Sequence, residues 1–152
     1  MPGKMISIEE ARARVLAEAA PLPAEERQLV EVLGSVLAED ITATHNVPPF
    51  DNSGMDGFAV RAADTVEAAQ DAPVLLAVTF TIPAGKTAGA PLREGEAAKI
   101  MTGAPMPEGA DAVIQSELAE DLGPQVRILQ AVKPGKNVRR AGEDVAAGDR
   151  AL

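Results

Sequence analysis

Val47-Pro48-Pro49-Phe50-Asp51-Asn52-Ser53-Gly54-Met55-Asp56-Gly57-Phe58-Ala59-Val60 combines two ways of shaping a backbone. Its two prolines remove N–H donors and fix φ, while Gly54 and Gly57 permit φ > 0. Asp51, Asn52, Ser53 and Asp56 place four polar side chains within six residues. Phe58, Ala59 and Val60 then form an apolar anchor suited to a core. A loop stiffened at one end and tethered at the other holds polar groups in place, as a binding site requires. The plainer reading is an Asx- and Gly-rich turn joining two strands.

Upstream, Ser7 and Glu10 form a capping box, and Ile8, Ala11, Val15 and Ala19 recur at helical spacing. This predicts a helix over 7–20, stopped by Pro21, with Pro21-Leu22-Pro23 as an elbow. Leu29, Val30, Val32, Leu33, Val36 and Leu37 mix both periods. They predict a short strand running into a second helix that ends near Ala38. Ile41-Thr42-Ala43-Thr44 favours a strand entering the loop. Downstream, residues 62–72 suit a loop or one helical turn. Leu76, Val78, Phe80 and Ile82 alternate with Ala77, Thr79 and Thr81, the pattern of a half-buried strand. Further strands are predicted over 97–101, delivering Thr102 at its end, and over 112–115 and 126–131. Gly123-Pro124 and Pro134-Gly135 supply turns.

The fold class expected is α+β, with a helical lobe and a loop-rich lobe of short, mostly antiparallel strands. The lobes divide as 1–46, to which 133–152 returns, and 47–132. Ala147-Gly148-Asp149 is a turn signal and Arg150-Ala151-Leu152 begins another strand, so a longer protein is expected.

The 152 residues suffice for one domain or two small lobes. Aromatics make up 2% against 46% hydrophobic residues, so the core must be aliphatic. The formal charge of −9 argues against non-specific nucleic-acid or anionic-membrane binding. No apolar run approaches the roughly 20 residues of a membrane span, and no signal-peptide pattern stands at the N-terminus. The absence of cysteine removes disulfides and thiolate metal sites and fits a cytoplasmic location.

Several motifs fail on inspection. Gly85-Lys86-Thr87 resembles the tail of a phosphate-binding loop, but Phe80 stands where that motif needs glycine. A calcium-loop frame starting at Asn52 puts Gly54 and Ala63 where oxygen ligands belong. His45 is the only histidine and reads as a solvent-facing strand residue. Asp56, beside Gly57, is open to a ligand or a hydrated Mg²⁺; alternatively it caps backbone N–H groups in an Asp-Gly turn. Thr102, before Gly103-Ala104-Pro105, could donate to an oxyanion or merely end its strand. Lys136, Arg139, Arg140, Glu143 and Asp144 form a mixed-charge cluster suited to an oxyanion or, equally, to a solvated, salt-bridged edge strand.

Three blocks carry a resemblance: Pro49 to Ala59; Ile100-Met101-Thr102-Gly103-Ala104-Pro105-Met106-Pro107-Glu108-Gly109-Ala110-Asp111-Ala112-Val113; and Gly135-Lys136-Asn137-Val138-Arg139-Arg140-Ala141-Gly142-Glu143-Asp144-Val145. Together and in this order they resemble the MoeA family, the molybdopterin molybdenumtransferases, which includes the E domain of gephyrin. The resemblance covers the N-terminal region only and implies molybdopterin-binding and C-terminal domains downstream. It implies that the intact enzyme inserts molybdenum from molybdate into adenylylated molybdopterin, releasing AMP with Mg²⁺ assisting. It implies catalytic roles for Asp56 and Thr102, with Asp56 also a metal contact. Arg139 and Asp144 become substrate-binding candidates, while Asn52 and Ser53 enter that set chiefly as supports of the loop. A homodimer with a shared site and a molybdopterin-adenylating partner enzyme are also implied. The other reading is a non-catalytic scaffold or interaction module, a role related to receptor binding by gephyrin.

Overall fold

Gly57-Phe58-Ala59-Val60 forms strand β2, and all four residues are buried. In the computed structural model, which describes residues 5–152, β2 lies between β4 (Glu96–Ile100) and β5 (Ala112–Gln115), antiparallel to both. The other strands are β1 (Asn52–Ser53), β3 (Val74–Ile82), β6 (Ala119–Asp121), β7 (Gln125–Ile128) and β8 (Val138–Arg139). One sheet runs β5-β2-β4-β3-β7-β6, and β1 pairs with β8 in a second. Every pairing is antiparallel except β3 with β4.

Around β2 the sheet is buried on both faces, which is why that strand shows no polar alternation. Phe58, Val60, Ala97, Ile114, Leu76 and Val126 pack in one core; Ala59, Ala98, Ile100, Val113, Leu92 and Ile82 pack in the other. Strand β3 serves both through a bulge. Val78 pairs with Ala97 but Phe80 pairs with Ala98, leaving Thr79 as the extra residue. That extra residue exchanges the face β3 presents, so Val78 meets the first core and Phe80 the second. Each fully buried aliphatic side chain, such as Ile82, Ile100 or Ile128, contributes roughly 1.5–3 kcal/mol relative to exposure.

Compact units divide between Asp40 and Ile41, so residues 41–46 and 133–152 both fall in the sheet-bearing unit. There, Val47 bridges Val145 and Thr42 bridges Arg150. The strand expected over 41–44 is reduced to that single bridge, although Ala43 N–H still donates to Asp149 O at 2.8 Å.

Of the first unit, residues 1–4 lie outside the described residues. Helix α1 (Ile8–Glu18) matches the predicted one: Ser7 Oγ accepts from Glu10 N–H at 3.1 Å and the helix ends three positions before Pro21. The predicted strand and second helix are absent. Only Leu29–Glu31 form a 3₁₀ turn, and Gly34 has φ +86°. The expected helical lobe is thus one helix, and the chain is mostly β. Val30, Leu33 and Val36 are all at least 89% exposed. A short segment without a surface to pack on in its own unit gains too little to offset nucleation, so its apolar period does not become a helix. Among the described residues, no helix is long and apolar enough to cross a membrane.

Candidate functional site

The three sequence blocks meet around β1. On one side Ser53 N–H donates to Ala104 O at 2.9 Å, Gly103 N–H to Ser53 O at 2.8 Å, and Met106 N–H to Asp51 O at 2.9 Å. On the other, Asn52 and Ser53 pair with Arg139 and Val138, and Gly54 N–H donates to Asn137 O at 2.8 Å. Residues separated by up to 90 positions are therefore in hydrogen-bond contact.

Asp56 and Thr102 are brought into direct contact. Asp56 Oδ1 accepts from both the backbone N–H and the hydroxyl of Thr102, each at 2.7 Å. Gly103, with φ +79°, allows the turn closed by Ala104 N–H donating to Met101 O at 3.0 Å. That turn aims the Thr102 N–H at Asp56, the residue just before β2. Ser116 steadies the other side, donating its N–H and hydroxyl to Asp56 O at 3.1 and 3.2 Å. The Thr102 N–H, and then its hydroxyl, hold the Asp56 carboxyl below its ordinary pKa. Asp56 and Thr102 are both exposed, so this fixed anion stands on open surface.

Arg139 and Asp144 are also joined: Arg139 Nη2 donates to Asp144 Oδ2 at 2.5 Å and its Nε to Glu143 Oε1 at 2.8 Å. Glu143 and then Asp144 raise the Arg139 pKa. Both carboxylates thus offset the guanidinium charge. No hydrogen bond among the described residues links this pair to Asp56, but the Arg139 stem runs beside Gly54, two positions before it. Asn52 and Ser53 are buried. The Asn52 amide donates to Phe50 O at 3.3 Å and the Ser53 hydroxyl to Met55 O at 2.5 Å, so both shape the loop.

Asp51 and its partner Arg140, neither of them in the sequence-based site set, also join this assembly. Asp51 Oδ1 accepts from Ala141 N–H at 2.8 Å and its Oδ2 from Arg140 Nη1 at 2.5 Å. The Ala141 N–H, and then Arg140, lower the Asp51 pKa. Its position among four clustered polar residues was the available signal; its partner could not be read from local spacing. His45 is exposed, and its Nδ1 lies 3.0 Å from Thr44 Oγ1.

These carboxylates dictate an acid response. Asp51, Asp56 and Glu143 all have folded pKa values below their ordinary ones. The stability they add is present above an unfolded pKa of about 4 and is lost as pH falls through the depressed values. Urea unfolding between pH 6 and pH 2.5 should show flat stability down to about pH 4 and then a decline. Asp51→Asn should make that decline shallower; an unchanged slope would contradict the assigned pairing.

No group of three or more metal-ligating side chains occurs among the described residues. Mg²⁺ commonly binds through one or two carboxylates, with waters and substrate phosphates completing the octahedron. Asp56 fits that mode, since Thr102 occupies Oδ1 and the carboxylate is ionised and exposed.

A family profile described as the MoeA N-terminal region (domain I and II) matches residues 6–152. Molybdopterin molybdenumtransferase 2 of Mycobacterium tuberculosis (strain CDC 1551 / Oshkosh) is 47% identical over 124 residues, covering 82% of this chain and 31% of that protein. Molybdopterin molybdenumtransferase of Bacillus subtilis (strain 168) is 44% identical, covering 79% of this chain and 29% of the relative. The chain thus spans about a third of the length of these relatives. A crystal structure of the molybdopterin biosynthesis moeA protein from Pyrococcus horikoshii OT3 superposes with a TM-score of 0.90 at 38% identity, covering 98% of this chain and 40% of that one. By sequence profile, by its relatives and by fold, the chain belongs to the MoeA N-terminal region family.

Proposed function

We propose that the chain is the N-terminal region of a molybdenum cofactor biosynthesis enzyme acting in the cytoplasm. The full-length protein inserts molybdenum from molybdate into adenylylated molybdopterin and releases AMP. The observation that carries this reading is the double hydrogen bond from Thr102 to Asp56, which locks a carboxylate in its ionised form on an open surface. Such a group has no covalent chemistry to perform; it positions a cation or a polar substrate atom and stabilises charge electrostatically. Asp56 would contact Mg²⁺, which when bound supplies charge neutralisation for the substrate phosphates. Arg139, with Asp144 fixing its orientation, offers the donors left over from its ion pairs to an oxyanion. Asn52 and Ser53 hold the loop that presents Asp56.

The open site is half of the working one. The other half comes from the downstream domains, across a homodimer. The exposed Ile8, Leu22, Leu29, Val30, Leu33 and Val36 of the first unit, each at least 84% exposed, supply apolar surface for that assembly. A molybdopterin-adenylating enzyme supplies the nucleotide substrate, and no nucleic acid is involved.

The test is AMP release from adenylylated molybdopterin by the full-length protein. Release that depends on molybdate supports the reading, and no release contradicts it. The 152-residue chain alone should show no insertion and no tight calorimetric binding of AMP, molybdate or Mg²⁺. Sub-micromolar binding, or turnover by the chain alone, would overturn the half-site assignment.

A further inference from the structure

We propose that Asp51 is a positioning residue that holds the Thr102 turn in register with Asp56. The proposal rests on the functional reading above for its effect on turnover. Asp51 touches both of the other blocks, and among the described hydrogen bonds its carboxylate joins the first block to the third. Its carboxylate accepts from Arg140 and Ala141 of the third block, and its carbonyl accepts from Met106 of the second. Two and three residues further along, Ser53 O accepts from Gly103 N–H and Gly54 N–H donates to Asn137 O. Segment 51–54 is therefore the middle of three antiparallel segments, and the Asp51 carboxylate fixes it against the one that carries Arg140 and Ala141.

Gly103 adjoins Thr102, so sliding of this segment moves both donors that reach Asp56 Oδ1. A single exposed ion pair would hold little. Here the carboxylate also binds a backbone N–H, and the two contacts fix direction as well as distance. Arg140 is held from its other end, because its backbone N–H donates to Glu143 Oε2 at 2.8 Å. Glu143 in turn accepts from Arg139. The clamp therefore orients the whole cationic turn, not one arginine.

The experiment uses full-length protein carrying Asp51→Ala or Asp51→Asn, with hydrogen-exchange mass spectrometry and steady-state insertion kinetics. In Asp51→Ala, amide exchange should rise about tenfold or more in peptides covering 101–106 and 138–144, and stay unchanged over β3 and β7. Insertion kcat should fall about tenfold with KM within about twofold, because a misplaced Thr102 affects the reaction more than binding. Asp51→Asn keeps an oxygen for Ala141 N–H and should restore much of both. Should Asp51→Ala fail to accumulate, Asp51→Asn carries the test, with exchange raised about threefold in the same peptides.

Unchanged exchange at 101–106, or a rise spread equally over all strands, overturns the proposal. So does loosening at 101–106 with unchanged kcat, in a protein whose Asp56→Asn variant is slow. Failure of the functional reading itself shows separately, as wild-type turnover by Asp56→Asn whatever Asp51→Ala does.

Discussion

Asp56→Asn in the full-length protein is expected to slow molybdenum insertion by about tenfold or more while leaving the fold intact. Tenfold corresponds to about 1.4 kcal/mol of transition-state stabilisation, well within what one ionised, pre-positioned group supplies. The fold should survive because asparagine has nearly the same volume and its amide oxygen can take the Oδ1 place. Thr102 N–H and hydroxyl then keep an acceptor, though a neutral and weaker one. Asp56 is exposed, so no buried charge is gained or lost. Insertion kinetics beside a melting curve separate the two effects. Normal turnover in a folded variant would make Asp56 a turn residue.

Gly57→Ala should give the largest loss of stability. An added Cβ would lie 1.9 Å from Ile114 O and 2.9 Å from Gln115 Cα. Both are backbone atoms of β5, and β2 is held from its other edge by β4. Neither strand can retreat without breaking pairing on one side, so the cost should be about 3 kcal/mol or more. Gly89→Ala is the control: its Cβ meets nothing within 4 Å, and its φ is not positive. Urea unfolding should place that control within about 0.5 kcal/mol of wild type. Stability within about 1 kcal/mol for Gly57→Ala would contradict the close approach of β5 to β2.

The parts of this fold written in local pattern were legible. Ser7 and Glu10 marked the start of α1, and the alternation of Leu76 to Ile82 marked β3. The strand leading to Thr102 was also readable, one residue out of place: 97–101 was expected and Glu96–Ile100 is found, with Met101 between it and Thr102. What was lost depends on distant neighbours. The residues from Leu29 to Leu37 carry an apolar period but no packing surface in their own unit, so propensity had nothing to act on. Phe58 to Val60 suggested a core anchor, yet a strand buried on both faces has no alternation to read. The Thr79 bulge is hidden because the burial pattern of β3 stays regular through it.

The site divides the same way. Asp56 and Thr102 were separate candidates by residue type, but only the fold shows that one holds the other. Arg139 and Asp144 lie five positions apart and could be paired on paper. Asp51 could not be, since its partners lie 89 and 90 positions away.

The claim that Asp56 and Thr102 act as one unit is tested most directly by a double-mutant cycle on insertion turnover. Thr102→Val removes the hydroxyl and keeps the β-branched shape and the backbone N–H, so stability should change by no more than about 1–2 kcal/mol. Thr102→Val alone should slow insertion less than Asp56→Asn does. The expected result is that the double variant turns over within about twofold of Asp56→Asn alone, because the hydroxyl works through the carboxylate. A double variant slowed by the product of the two separate factors would show independent residues and contradict the paired site.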